Sequence, residues 1–272
     1  MQTPQFEFMR DFLRRESGLV VEPHKMYLLR SRLQPLLPEH GLTDLDALAD
    51  ALRQRRDPAL ARAVVDAMTT NETLFFRDGY PFEALRERML PDCLAGGGTV
   101  RVWSAAASTG QEAWSIAITA AEAGAASRVR ILGTDISESA LARAREAAYT
   151  PMEVRRGLPP DLLRKYFVED DRMWRVKPAI RRMVEFRSAN LVSPRLPDAM
   201  RMHGPFDIVF CRNVLIYFDT DTRQNVVDNI ARCMREGGWL VNGATEIPNG
   251  RVSRWEPVPV GGRRLWRLTA KP

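Results

Sequence analysis

The chain is 272 residues long, 45% apolar and 27% charged. That is material for one large core or two smaller ones, and it excludes a disordered, collagen-like or disulfide-stapled chain. Forty Lys and Arg against 34 Asp and Glu leave a formal charge of +6, which by itself points to a nucleic acid or a membrane surface. The excess is local, however. Residues 155–187 hold ten basic and five acidic side chains, residues 251–272 hold six and one, and the remainder is slightly acidic. Three scattered cysteines (Cys93, Cys211, Cys233) make neither a disulfide framework nor a zinc site and read as reduced thiols. The N-terminus lacks a signal-peptide pattern, and no run of 18 apolar residues exists, so the sequence reads as cytosolic with no membrane insertion.

Residues 1–90 read as an all-helical N-terminal domain with a linker. Phe6, Met9, Phe12 and Leu13 recur at helical spacing, with Arg10, Arg14 and Arg15 on other faces. A second helix is expected from about Pro23 through Tyr27, Leu28, Leu33 and Leu36 toward Gly41. Thr43, followed by Asp44 and Asp46, looks like an N-cap with acidic first-turn residues. Pro58 suits the first turn of a helix carrying Leu60, Val64, Val65 and Met68.

From residue 91 to 272 the pattern becomes α/β. LAGGGTV is a turn and VRVWSA a strand. A loop with Gly110 precedes the helix EAWSIAITAAEAGA, and VRILGTD and SESALARAREAAY repeat the strand–helix order of a parallel sheet. Further strands are expected at VEFRSAN, FDIVFCRN and WLVNGA. NVVDNIARCMREGG reads as a helix closed by glycine, and RRLWRLTA as a final edge strand. Residues 151–187 interrupt this rhythm with one short helix, DLLRKYF, and short strands around a turn in MWRVKPAIRRMV, a small antiparallel insert beside the main sheet.

Four stretches carry chemistry. Gly110 lies where a strand gives way to a helix, a position whose free amides bind polar ligand groups. With one glycine in Ser104–Gly110, the loop is not a dinucleotide fingerprint. Asp135, ending ILGTD, can accept both hydrogen bonds of a ribose diol; equally it can cap the next helix, as can Ser137. In FDIVFCRNVLIYF an apolar strand runs into Arg212-Asn213, and ligands in open α/β sheets bind outside such strand ends. Arg212 reads as a site cation or an ion-pair partner, Tyr217 as a site hydroxyl or a core aromatic. The polar run Thr69–Arg77 is either a site loop or a capped helix end.

TTNETLFFRD, RVWSAAASTGQEAWSIAI, GTDIS, SANL and FDIVFCRNVLIYFD, in that order, closely resemble the CheR family of chemotaxis-receptor methyltransferases. The resemblance covers residues 5–268. It implies an all-helical domain before a Rossmann-like S-adenosylmethionine-dependent methyltransferase domain with a small antiparallel β insert. It also implies methyl transfer from S-adenosylmethionine to glutamates on chemoreceptor cytoplasmic domains, with S-adenosylhomocysteine as product and no metal. Asn71, Thr73 and Arg77 match cofactor-contacting positions, with Arg77 near the methionine carboxylate. Glu112 matches an acid serving the cofactor amino group, although its neighbours Gln111, Ala113 and Trp114 depart from the family's run. Asp135 matches the ribose acid, and Asn190 and Leu191 the pair beside the adenine. Arg212 and Asn213 match the strand-end site, and Tyr217 the tyrosine near the transferred methyl. Tyr217 and Arg77 are thus the implied catalytic pair. Gly243-Ala244-Thr245-Glu246 departs from the family's G-H-S-E.

The resemblance makes the insert a receptor-docking element, and its basic excess suits the acidic methylation helices of receptors. Tyr166–Val176 lacks the glycine-bearing loop with which some members grip a C-terminal receptor peptide, so independence from that tether is expected, as is a monomer. The competing readings are a catalytically weak receptor- or signalling-binding module on the same fold, a small-molecule methyltransferase and a nucleic-acid methyltransferase. The last lacks an amine-activating N-P-P-Y-like motif and an aromatic-rich basic stripe. The basic tail has no account beyond a solvated face.

Overall fold

The computed structural model describes residues 3–54 and 57–271. Its contacts divide the chain into two compact units. The first runs to Thr70 and includes Tyr217–Thr222; the second comprises Asn71–Ile216 and Arg223 onward.

The first unit is helical. Phe6, Met9, Phe12 and Leu13 form the buried stripe of the helix Thr3–Ser17, the 3.6-residue periodicity placing them on one face. The helix expected from Pro23 to Gly41 is broken into a 3₁₀ turn Pro23–Lys25 and helices Met26–Leu33 and Leu36–Glu39. The break falls at Gln34-Pro35, because proline lacks the N–H that would continue the ladder. The cap of Leu45–Arg53 is Asp44, not Thr43: Asp44 Oδ1 accepts the N–H groups of Asp46 (2.9 Å) and Ala47 (2.8 Å). Asp57 caps Pro58–Met68 in the same way, with Pro58 in the first turn and Leu60, Val64, Val65 and Met68 buried. At the far end of that helix, Arg32 donates to the carbonyls of Met68 (2.8 Å) and Thr69 (2.9 Å), a cation on a helix C-terminus. The segment Tyr217–Thr222 is tied in by the Val20 N–H on the Tyr217 carbonyl (3.1 Å) and by Arg14 on Asp219 (2.7 Å).

The second unit is built on a seven-stranded sheet. Its strands are β1 (Val100–Ala105), β2 (Val129–Asp135), β6 (Val184–Ser188), β7 (Phe206–Cys211), β8 (Met234–Asn242), β9 (Arg254–Val260) and β10 (Arg263–Ala270). They lie in the order β6-β2-β1-β7-β8-β10-β9. The first five are parallel and β10 is antiparallel to both its neighbours. All six residues of β7 are buried, as expected of a central parallel strand covered on both faces. Asp207 in that strand is tolerated because it accepts the Arg101 N–H (2.8 Å) and pairs with Arg235 (2.8 Å). Burial pushes the Cys93 and Cys233 thiols up to about 12, so both are protonated and unreactive at neutral pH.

Three details differ from the sequence reading. The helix Thr220–Cys233 is not closed by the glycines; Met234 already pairs with Phe206, and Gly237-Gly238 lie within β8. RRLWRLTA, as β10, is an interior strand, and β9 is the edge. Pro257 and Pro259 explain the order, since proline cannot donate to a ladder and belongs on an edge. In the insert, β4 (Phe167–Asp170) and β5 (Met173–Val176) form a hairpin, with β3 (Ala148–Tyr149) on the other side of β5, giving a three-stranded antiparallel sheet. The stretch after β5 is the helical turn Pro178–Arg181, started by its proline, and the following Val184 opens the edge strand β6 of the main sheet.

Candidate functional site

Strand β1 lies between β2, which follows it in the chain, and β7, which does not. The crevice at the carboxyl ends of β1 and β7 is therefore the topological switch point where open α/β sheets take ligands. The loop leaving β1 is tightly wound: Ala106 (φ 69°), Ser108 (φ 51°) and Gly110 (φ 96°) occupy the left-handed region. Two of these are not glycine, so backbone strain is held here by the surrounding bonds. The Ala107 N–H donates to the Thr134 carbonyl (2.8 Å), and the Ser108 Oγ to the Asn71 carbonyl (2.9 Å). At Gly110 a Cβ would sit 3.0 Å from Trp114 Nε1, Ala144 Cβ and Tyr149 Oη, so positive φ and close packing both require glycine.

Asp135 ends β2 beside this loop. Its Oδ2 accepts the Ser108 N–H (2.7 Å) and its Oδ1 the Ser137 N–H (3.0 Å). Ser137, not Asp135, caps the helix Glu138–Glu146, through its Oγ on the Ala140 N–H (3.1 Å). Asp135 is thus a buried carboxylate whose charge is met by backbone dipoles. Asn71 Nδ2 reaches Ser137 Oγ (3.3 Å), which brings the polar run before the sheet to the same strand end.

That run is anchored by Phe75, which is fully buried and meets Tyr149 and Phe167 edge-on at ring distances of 5.0 and 5.6 Å. The Phe76 N–H donates to Ser115 Oγ (2.9 Å), and Phe76, Asp78 and Gly79 turn through positive φ. Arg77 Nη1 rests on the Glu72 carbonyl (3.2 Å). Thr73 is half-buried on the same run.

At the end of β7, the Arg212 side chain is 1% exposed. Its Nη1 donates to Glu112 Oε2 (2.9 Å), and its Nη2 to Asp78 Oδ2 (2.6 Å) and the Arg77 carbonyl (2.9 Å). Ser104 Oγ donates to the other Glu112 oxygen (2.7 Å). A guanidinium buried this deeply is stable only because two carboxylates face it. The three side chains together retain one negative charge. Through Nη1 and Nη2 Arg212 ties Glu112 to the Arg77–Asp78 turn, while its buried Nε has no hydrogen-bond partner among the described residues.

Asn213 follows in the left-handed region (φ 58°). Its N–H donates to Glu246 Oε2 (2.8 Å), which also accepts the Gly243 N–H (2.8 Å). Glu246 therefore clamps the end of β7 to the end of β8. Sequence reasoning gave this loop no role; the separation of 33 residues along the chain hid the contact. Asp78, Ser104, Ser108 and Ser137 were also missed as partners, although each lies inside or beside a quoted motif. Asn190 Oδ1 accepts the Val192 N–H (3.1 Å), and Leu191 is buried, beyond β6, where the Ala189 N–H meets the Asp135 carbonyl (2.9 Å). Asn71, Glu112, Asp135, Asn190, Leu191, Arg212 and Asn213 thus all lie at one end of the main sheet. Tyr217, half-buried in the turn Leu215–Tyr217, is counted with the first unit. Among the described residues, no group of three or more His, Cys, Asp or Glu side chains could hold a metal ion, and no helix is long and apolar enough to cross a membrane.

Comparison with known proteins covers most of the chain. The SAM-binding domain of CheR methyltransferases matches residues 71–259, and the all-alpha domain of CheR methyltransferases matches residues 4–69. Chemotaxis protein methyltransferase 1 of Pseudomonas aeruginosa is 40% identical over 271 residues, covering 96% of this chain and 97% of its own. The chemotaxis protein methyltransferase of Vibrio anguillarum is 42% identical over 264 residues, 94% of each chain. That of Salmonella typhimurium is 36% identical over 236 residues, 85% of this chain and 79% of its own.

Proposed function

The chain belongs to the CheR methyltransferase family, and from that premise we propose how its residues divide the work of methylating receptor glutamates. The protein is an S-adenosylmethionine-dependent protein-glutamate O-methyltransferase acting on chemoreceptors. The observation that carries the reading at residue level is Asp135: a buried carboxylate at the switch point, set beside a loop of small side chains. That donor set fits a nucleoside cofactor. Asp135 would hold the ribose diol, Asn190 and Leu191 would flank the adenine, and Asn71, Thr73 and Arg77 would hold the methionine end, Arg77 by its carboxylate. The negative charge left on the Glu112–Arg212–Asp78 cluster suits a cationic amino group. S-adenosylmethionine supplies an electrophilic methyl on a sulfonium.

The nucleophile is the substrate's own carboxylate, which with a solution pKa of about 4.3 is ionised at neutral pH and needs no general base. The protein's task is positioning and removal of water around that carboxylate. Tyr217 donates a hydrogen bond that orients the carboxylate without neutralising it. Arg77 is assigned to the cofactor first, because a permanent cation on the nucleophile would weaken it. Asn213 fixes the end of β7 through its N–H on Glu246. Tyr217→Phe is expected to lower turnover about tenfold with cofactor affinity unchanged; equal turnover sinks the role given to Tyr217.

The decisive test is transfer of labelled methyl from S-adenosylmethionine to a receptor cytoplasmic domain, with alkali-labile label at glutamates mapped by mass spectrometry. Alkali-stable label, or none, overturns the reading. A catalytically silent binding module would bind the receptor domain and transfer nothing.

The insert is the receptor-docking element of this reading, with acidic methylation helices as its partner. Part of its basic excess is already paired, Lys165 with Glu122 of the helix Gln111–Glu122 (2.6 Å) and Arg175 with Asp170 inside the insert. Its β4–β5 hairpin closes through Asp171 (φ 54°) and Arg172 with no glycine. That short turn supports independence from a C-terminal receptor peptide. Calorimetry showing micromolar affinity for such a peptide would overturn this.

A further inference from the structure

The basic C-terminal segment, unexplained by the sequence, forms β9 and β10 of the main sheet. The hairpin of β9 and β10 turns through Gly261 and Gly262, both at positive φ, and delivers Arg263 and Arg264 to a polar cleft of about 290 Å³. Its other walls are Tyr80, Asn242 and the loop Gly243–Ile247. That volume is at the lower end for a ligand pocket, so the cleft takes side chains rather than a whole cofactor. It is continuous with the site already described: Glu246 in its wall is the residue clamping Asn213, and Tyr80 donates to the Asn242 carbonyl (3.3 Å).

The cations in this segment are unequally used. Arg267 is committed to Asp92 (2.8 Å) and lies over the Trp239 ring at 4.1 Å, and Arg254 is turned onto the carbonyls of Val252 and Ser253. Arg263 and Arg264 are exposed and have no carboxylate partner among the described residues; Arg263 is steadied over the Tyr80 ring at 5.6 Å. Two lining residues, Asn242 and Glu246, each keep one buried side-chain oxygen (Oδ1 and Oε1) without a hydrogen-bond donor among the described residues. Unpaired guanidinium groups at the mouth and unsatisfied acceptors in the wall are the complement of a polypeptide that brings carboxylates and amide N–H groups together.

We propose that this cleft is a second substrate-docking subsite, in which Arg263 and Arg264 hold acidic side chains flanking the glutamate to be methylated. The inference rests on the receptor-glutamate reading above and adds a place of contact to it. Docking here sets the acidic segment beside the end of β7, and the attraction screens with salt because both arginines are exposed.

The test uses the full-length protein with a receptor cytoplasmic domain. Arg263→Glu/Arg264→Glu is expected to raise KM for the receptor tenfold or more, with kcat within about twofold and S-adenosylmethionine affinity unchanged by calorimetry. Arg263→Lys/Arg264→Lys keeps the charge and is expected to stay within about threefold of the wild-type KM. The wild-type KM should rise with sodium chloride, and that of the charge-reversed protein should not. An unaltered KM in the charge-reversed protein overturns the subsite. So does a parallel loss of cofactor affinity or thermal stability, which would make the arginines structural. Protection of the wild-type protein by an oligonucleotide but not by an acidic receptor peptide would assign the arginines to another polyanion. A wild-type protein that transfers no methyl to the receptor removes the functional reading itself, and the subsite with it.

Discussion

The ends of β2 and β7 solve the same problem, a buried charge at a ligand site, in opposite ways. Asp135 is met by neutral backbone donors from Ser108 and Ser137. Arg212 is met by full charges on Glu112 and Asp78, from residues 100 and 134 positions away in the chain. The Ser108 and Ser137 N–H groups hold the acid in place at the end of β2. The ion cluster engages two of the three guanidinium nitrogens, Nη1 and Nη2, and joins Glu112 to the Arg77–Asp78 turn. We propose that the first arrangement serves binding and the second structure, although both residues stand at the end of an apolar strand.

This contrast can be broken at either end. The largest effect is expected for Arg212→Met, which leaves Glu112 buried without its cation. Removing one partner of a buried ion pair costs about 3–5 kcal/mol, and a urea denaturation series should read that loss. A stability loss below about 1 kcal/mol would mean that the cluster is not structural. Asp135→Asn should leave stability less affected and cost cofactor affinity instead. A hydrogen bond to a charged group contributes about 1.5–3 kcal/mol, so calorimetry should show roughly a ten- to hundredfold weaker Kd. If Asp135→Asn unfolds the protein while binding survives in the folded fraction, the two ends have been assigned the wrong way round.

Glu246→Ala tests an intermediate case, a carboxylate that serves as a clamp through backbone donors. It strips the Asn213 and Gly243 N–H groups of their acceptor, at about 1–3 kcal/mol for buried unsatisfied groups. Glu246→Gln keeps an acceptor oxygen and should recover most of the stability. Turnover tracking the loss in alanine and its recovery in glutamine would mark Glu246 as a positioning residue.

The smallest effect is at Asp57, which uses the Asp135 device on a solvent-exposed helix end. The N–H groups of Leu60 and Ala59 hold its carboxyl below the ordinary carboxylate range. A lowered folded pKa means that the stability it contributes is complete above the unfolded value of about 3.9 and is lost as pH falls through the folded value. Asp57→Asn also caps a helix but does not titrate. The difference in urea midpoint between wild type and Asp57→Asn should shrink as pH falls from about 6 toward about 3. A difference that stays constant would show that the charge of Asp57 contributes nothing.

What was legible in the sequence was local. Helical stripes such as Phe6–Leu13, the strand–helix alternation and Asp135 at a strand end follow from periodicity and from groups a few bonds apart. Where reading failed, a competing neighbour, near or distant in the chain, had intervened. RRLWRLTA looks like an edge strand until β9, with its two prolines, takes the edge. The glycines near 237 look like a helix stop until Met234 pairs with Phe206. Thr43 was displaced as cap by the adjacent Asp44, whose carboxylate accepts two N–H groups at once.

The same division holds for the charge with which the sequence opens. Sequence alone determined the family, the fold class and the fact that the basic excess sits in two short segments. These depend on residue identity and spacing, which the chain carries directly. Only the tertiary structure decided what each charge does: Arg212 pairs with Glu112 and Asp78, Lys165 reaches out of the insert to Glu122, Arg175 pairs with Asp170 within it, and Arg263 and Arg264 stand without carboxylate partners among the described residues over a cleft that Glu246 links to Asn213. The reason is physical. A charge acts through whatever lies within a few ångströms of it, and folding sets that neighbour anywhere from 5 residues away, as for Arg175 and Asp170, to 134, as for Arg212 and Asp78.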